Sequence, residues 1–257
     1  MKSIHSLQIL GLFLLFTCLF KSQTTFAQSL YPVKLDSVRW FDETRKRIIP
    51  VAFFTPETGK RIKNQSLIIF SHGYGANEGR ANLDYSYLTN YLASAGYFVA
   101  SIQHELPTDS LLPTTGKPQI VRRSNWERGA ENMLFVLNQL KKTNPTLDYK
   151  HLVIMGHSNG GDMSALFAHK HPELVNKVIT LDNRRMALPR TKKPRMYSLR
   201  SSDQPADEGV LPTQEEQKEL GMTVIKLPDT IHNHMDNDAN ERQRKEIIDY
   251  IMAFLKK

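Results

Sequence analysis

The sequence predicts an α/β fold: a three-layer α/β/α sandwich built on a mostly parallel sheet of eight strands with an antiparallel N-terminal edge. Three observations predict it. Short apolar runs alternate along the chain with segments of helical periodicity, as in successive βαβ units. Most of those runs are apolar throughout rather than alternating with polar residues, as befits strands covered on both faces. Only the first two runs are separated by a short charged turn.

In chain order, Val38-Arg39-Trp40-Phe41 and Ile49-Pro50-Val51-Ala52-Phe53-Phe54 read as a hairpin around the turn Asp42 to Lys46. Further strands are expected at Leu67–Phe70, Tyr97–Ile102, Leu152–Met155, Val178–Leu181, Met196–Leu199 and Met222–Leu227. Helices are expected at Tyr85–Ser94, Trp126–Lys142, Gly160–His169 and Asn240–Leu255. The second of these carries Met133, Leu134, Val136, Leu137 and Leu140 at helical spacing and stops at Asn144-Pro145. Phe167, Ile247, Ile248 and Ile251 are read as packing against the sheet. The segment from Gln103 to Asn125, with Pro107, Pro113, Gly116 and Pro118, leaves the carboxyl end of a strand, where open α/β sheets bind ligands. It is therefore a candidate pocket wall. The connection from Leu181 to Arg195 is too short for a helical cap, which predicts an open site.

The first 27 residues read as a secretory signal peptide: Met1-Lys2, an uncharged stretch from Ile9 to Phe20, and Thr25-Phe26-Ala27 before Gln28. The apolar stretch is too short for a stable transmembrane anchor. Residues 28–257 are expected to form a single domain exported to the periplasm or beyond the cell. The single cysteine, Cys18, lies inside the leader. A lipid anchor there is a minor alternative, because Phe16-Thr17 fits poorly ahead of a lipidated cysteine and Leu19-Phe20 continues the apolar run. Cleavage after Ala27 leaves a chain without disulfide or thiol chemistry.

Lys and Arg number 34 against 26 Asp and Glu. The cations are scattered, and the densest grouping, Arg184-Arg185 with Arg190 and Lys192-Lys193, has no aromatic platforms between its members, so no nucleic-acid partner is expected. A monomer or weak homo-oligomer is the expected form.

The chemistry centres on Gly156-His157-Ser158-Asn159-Gly160. An apolar run precedes this pentapeptide and a helix follows it, so the chain turns sharply at Ser158, with glycines where a Cβ would clash. A serine hydroxyl is a weak nucleophile and needs a histidine to take its proton and a carboxylate to orient that histidine. Asp203 lies just beyond the strand Met196–Leu199, with Asp182 and Asp207 as alternatives. His232 lies beyond the last strand, with His234 as alternative.

With these residues in the order Ser, Asp, His, the chain resembles the α/β-hydrolase fold family of serine esterases and lipases, in a form without a large cap domain. The residues that carry the resemblance are Ser71-His72-Gly73-Tyr74-Gly75, Gly156 to Gly161, Asp203 and His232. It covers nearly all of the chain after the leader. The resemblance implies a Ser158-Asp203-His232 triad and an oxyanion hole formed by the backbone N–H groups of Tyr74 and Asn159. His72 is expected to orient the oxyanion loop, and Tyr74 and His157 are candidate substrate contacts. The resemblance implies cleavage of a small-molecule or lipid-like ester through an acyl-enzyme, with no cofactor and no metal; peptide cleavage or acyl transfer by the same residues is the alternative.

Three rival readings are weaker. The cluster from His232 to Asp238 is rich in metal-binding side chains, but a dinuclear site needs histidines at later strand ends and none follows His234. Gly73 to Gly79 has glycine spacing one residue too long for a dinucleotide fingerprint and follows an internal strand. A non-catalytic binding module on this fold is expected to lack a triad member, and here every position is filled.

Overall fold

Eight strands assemble into one sheet in the order β1-β2-β4-β3-β5-β6-β7-β8. The computed structural model describes residues 30–60 and 62–257; the leader and Cys18 lie outside the described residues. The hairpin β1 (Val33–Asp42) and β2 (Arg47–Pro56) pairs antiparallel through Val38 opposite Val51, and β2 runs antiparallel to β4 (Phe98–Ile102). All other pairings, among β4, β3 (Gln65–Ser71), β5 (Leu147–His157), β6 (Lys177–Leu181), β7 (Arg195–Arg200) and β8 (Thr223–Lys226), are parallel. This is the expected architecture, antiparallel edge included.

The two-residue period of a strand explains the layers. Along β3, Leu67 and Ile69 face one core while Ile68 and Phe70 face the other. The first core is covered by α3 (Arg123–Thr143) and α4 (Ser158–Lys170) through Trp126, Met133, Leu137, Met163 and Phe167. The second is covered by α1 (Ser86–Ser94) and α6 (Glu241–Lys256) through Leu88, Leu92, Ile247, Ile251 and Phe254.

Two helices depart from the sequence reading. Pro118–Val121 forms the short α2 within the proline-containing segment, and Gln214–Leu220 forms α5. α5 buries none of its residues, so no apolar stripe announces it; its signature is the capping box of Thr213 and Glu216. Strand β5 also starts earlier than the apolar run, at Leu147. None of this moves the carboxyl ends of β3, β5, β6 and β7, where the candidate site residues gather.

Candidate active site

Ser158 stands at the junction of β5 and α4 with φ of 50°. Left-handed backbone at a non-glycine residue costs about 1–3 kcal/mol and persists only where the surroundings enforce it. Here the enforcement is close backbone packing. A Cβ on Gly160 would sit 2.3 Å from the carbonyl oxygens of both Ser71 and His72, so the helix start can lie against the end of β3 only because that residue is glycine.

His232 follows β8 in the single turn His232–His234 and reaches back across the sheet. Its Nε2 is 2.9 Å from Ser158 Oγ, and its Nδ1 is 2.5 Å from Asp182 Oδ2. Asp182, directly after β6, is fully buried and also left-handed, with φ of 54°. Ser201 donates to it twice, from its N–H to Oδ1 at 2.9 Å and from its hydroxyl to Oδ2 at 2.7 Å. Arg200 Nη2 pairs with Oδ1 at 2.8 Å. Burial alone would raise the Asp182 pKa, but the His232 hydrogen bond, the Arg200 charge and the Ser201 donors together hold it below the ordinary aspartate value. The carboxylate is thus kept ionised where it can face an imidazolium.

Asp203 does not occupy that place. It is exposed, and its Oδ1 accepts the backbone N–H of His232 at 2.8 Å, so it holds the loop rather than the ring. Asp207 is engaged elsewhere, with Arg185 and with Gln119 Nε2 at 2.7 Å. The His234 backbone N–H closes the turn onto the Ile231 carbonyl, while the neighbouring His232 ring takes the position between Ser158 and Asp182. The sequence placed the acid one strand too far along; the structure puts Asp182 against the histidine. Because His232 Nε2 and Nδ1 are committed to Ser158 and Asp182, its ring is not turned toward His234 and Asp236, and no cluster of three or more metal-binding side chains occurs among the described residues.

The loop after β3 approaches Ser158 closely. A Cβ on Gly73 would lie 3.5 Å from Ser158 Cβ and 2.9 Å from the Tyr85 hydroxyl. His72 Nε2 accepts the His104 N–H at 3.0 Å, which leaves Nδ1 as the donor to the Gly73 carbonyl at 2.5 Å. His72 therefore orients this loop. Asn159, next to the serine, is held through its side chain: its Oδ1 accepts from Trp126 Nε1 at 2.8 Å, and its Nδ2 donates to Asn125 Oδ1 at 2.9 Å and Glu105 Oε1 at 3.1 Å. Trp126, Asn125 and Glu105 are all buried. Spacing alone did not reveal this support, since the three residues belong to a loop and a helix far upstream.

His157 is a correction. It is not among the residues lining the cavity at Ser158; it is buried behind His232, with ring centroids 4.6 Å apart, and Tyr85, whose hydroxyl accepts from the Gly73 N–H, donates to its Nδ1 at 2.6 Å. Burial, reinforced by the neighbouring His232, lowers its pKa to about 3, so it is neutral.

A cavity of about 170 Å³ opens at Ser158, lined by Tyr74, Leu112, Thr114, Arg122, Ser158, Asn159, Asp162, Arg184 and Arg185. Leu112 and Thr114 come from the segment expected to form a wall, and the Tyr74 hydroxyl accepts the Leu112 N–H at 3.0 Å. No helix lies between β6 and β7 to cap the opening.

Comparison with known proteins agrees with this fold. A family model described as alpha/beta hydrolase fold matches residues 66–202. Comparison with curated protein sequences gives no match. Among solved structures, the chain is similar to a bacterial heroin esterase (14% identity, TM-score 0.63, covering 88% of this chain and 84% of that one). It is similar to a fungal esterase from Rhizomucor miehei (15% identity, TM-score 0.64, 90% and 84% covered). The acylaminoacyl peptidase of Pyrococcus horikoshii is also similar in fold, at 13% identity and TM-score 0.62, with 89% of this chain matching 42% of that one. The family match spans the loop after β3, the Ser158 turn and Asp182, and with the eight-stranded sheet it makes this chain a member of the α/β-hydrolase fold family.

Proposed function

We propose that the protein is a serine hydrolase that cleaves carboxylic esters through an acyl-enzyme, with Ser158 as nucleophile, His232 as general base and acid, and Asp182 as the orienting carboxylate. One observation carries the reading: the Ser158 Oγ, His232 and Asp182 chain, with contacts of 2.9 and 2.5 Å, its histidine and aspartate buried and its serine half-buried. Ser158 Oγ attacks the ester carbonyl as its proton passes to His232 Nε2. The oxyanion that forms is held by the backbone N–H groups of Tyr74 and Asn159, the latter at the first turn of α4, where amides lack intrahelical partners. His232 then protonates the departing alkoxide, and the acyl-enzyme forms. Water, deprotonated by the same nitrogen, adds to the acyl carbonyl; the tetrahedral intermediate collapses, releasing the acid and returning the proton to Ser158. Asp182 stays ionised throughout and stabilises the imidazolium.

The uncapped opening supports esters over amides, whose poorer leaving group asks for more binding leverage. The leader-like residues 1–27 support action outside the cytoplasm. The test is hydrolysis of 4-nitrophenyl esters by the wild type and by Ser158→Ala, with mass spectrometry after a fluorophosphonate probe. Ser158-dependent turnover and a single adduct on the Ser158 peptide are expected; undiminished turnover in the variant overturns the proposal.

A further inference from the structure

The wall of the Ser158 cavity is cationic. Arg122, Arg184 and Arg185 all line it, against one lining carboxylate, Asp162. Asp162 is committed to the backbone: its Oδ1 accepts the N–H groups of Arg184, Arg185 and Met186 at 3.2, 2.9 and 2.9 Å. Those three bonds fold the start of the β6–β7 connection back over the nucleophile helix and deliver two consecutive arginines to the cavity. Arg185 is paired with Asp207, which lies behind it, and Arg122 Nε donates to the Pro113 carbonyl. Among the described residues, the half-buried Arg184 guanidinium has no carboxylate partner and no hydrogen-bond acceptor.

Three guanidinium groups around a small cavity repel one another, and burial adds to the cost. Arg122 and Arg184 are both held below the usual arginine pKa, first by burial and then by the charge of Arg185. Asp182 and Asp162 both act on Arg184 electrostatically without an ion-pair contact, but Asp182 is already paired with Arg200 and His232 and Asp162 is held by three backbone N–H groups, so Arg184 keeps no ion-pair partner of its own beside the serine. An arrangement this costly has an obvious counterpart, because a guanidinium fork matches the two oxygens of a carboxylate.

We propose that the ester taken by this site carries an anionic group, a carboxylate on its acyl or its alcohol part, bound by Arg184 with Arg122 beside it. This rests on the serine-hydrolase reading above and names its substrate class. The chemistry balances as in any ester hydrolysis: water is consumed, and the carboxylate that binds Arg184 is carried through unchanged.

The experiment compares two matched pairs, each differing only in a terminal carboxylate in place of a methyl: monomethyl adipate against methyl hexanoate for the acyl side, and 2-carboxyethyl butyrate against propyl butyrate for the alcohol side. Initial rates are followed by pH-stat for the wild type, Arg184→Gln and Arg122→Gln. A charged hydrogen bond of ordinary strength gives the anionic member of at least one pair an advantage of about tenfold in kcat/KM, and Arg184→Gln brings that ratio toward unity. The pair that shows the advantage identifies which part carries the charge. Neutral esters equal or better in both pairs, or an anionic advantage unchanged in Arg184→Gln, overturns the inference while leaving the serine-hydrolase reading standing. Absence of Ser158-dependent turnover on all four esters overturns both. A binding measurement separates folding from recognition: adipate titrated into Ser158→Ala is expected to bind, and into Ser158→Ala/Arg184→Gln to bind at least about tenfold more weakly. Equal affinity in the two also overturns the proposal.

Discussion

His232 Nδ1 lies 2.5 Å from Asp182 Oδ2, while the Asp203 carboxylate, one strand further along the sheet, takes the backbone N–H of the same histidine at 2.8 Å. Two aspartates thus serve one histidine, the first through its ring and the second through its main chain. They separate cleanly by substitution. Asp182→Asn keeps the size of the side chain but loses the charge that faces the imidazolium, so kcat is expected to fall about 10⁴-fold with the fold retained. Asp203→Asn should lower kcat less than about tenfold, since an amide oxygen still accepts the N–H. Steady-state kinetics with circular dichroism checks both, and a larger loss in Asp203→Asn than in Asp182→Asn would reverse the assignment.

Asn159 is fixed from the side by Trp126, Asn125 and Glu105. Asn159→Ala leaves its backbone N–H in place but frees the first residue after the nucleophile. The expected loss is in kcat, about 10²-fold, with KM little changed, because in the proposed mechanism the amide acts on the oxyanion rather than on the bound ester. A loss confined to KM would show that the side chain holds substrate instead.

Gly160 has no room for a side chain: its Cβ would lie 2.3 Å from two carbonyl oxygens at the end of β3. Gly160→Ala must push helix α4 from the sheet or distort the Ser158 turn. Chemical unfolding is expected to show a loss of about 3 kcal/mol or more, with activity abolished. Near-native stability would mean that the elbow yields more readily than its backbone contacts imply.

The buried neutral His157 makes the fold acid-sensitive. Its pKa is about 3 in the folded chain and 6.5 in the ordinary state. Above the ordinary value its contribution is complete; as the pH falls from there toward about 3, the unfolded chain takes up a proton that the native chain refuses. The slope for one proton is about 1.4 kcal/mol per pH unit. Urea unfolding of the wild type and His157→Gln at several pH values should show a shallower acid decline in the variant, by about one proton. Parallel declines would place the acid sensitivity elsewhere.

Much of the site was legible in the residues themselves. The glycines around Ser158 mark close backbone approach, the apolar run behind it marks a buried strand, and His232 stands just past the last strand. These are local properties, set by sterics within a few residues. The choice of acid was not local. Asp182 and Asp203 each stand just past the end of a parallel strand, β6 and β7, and sequence spacing treats them alike. The sheet order separates them. His232 starts beyond β8 and must reach Ser158 at the end of β5, so its ring passes over β7 and comes to rest over β6. An acid on β6 meets the ring there; an acid on β7 meets only the stem of the loop.

The same reason governs Arg184 and Arg185. In sequence they belong to the densest cationic grouping, in a short connection, and nothing local places them at a site. Three backbone hydrogen bonds to Asp162, twenty or more residues upstream, turn them onto the cavity wall. Strand, elbow and histidine were determined by the chain's own local pattern, because periodicity and glycine placement act over a few residues. The partner carboxylate and the charge of the pocket were decided only when neighbouring parallel strands set loop ends side by side, since the distances that matter there run across the sheet rather than along the chain.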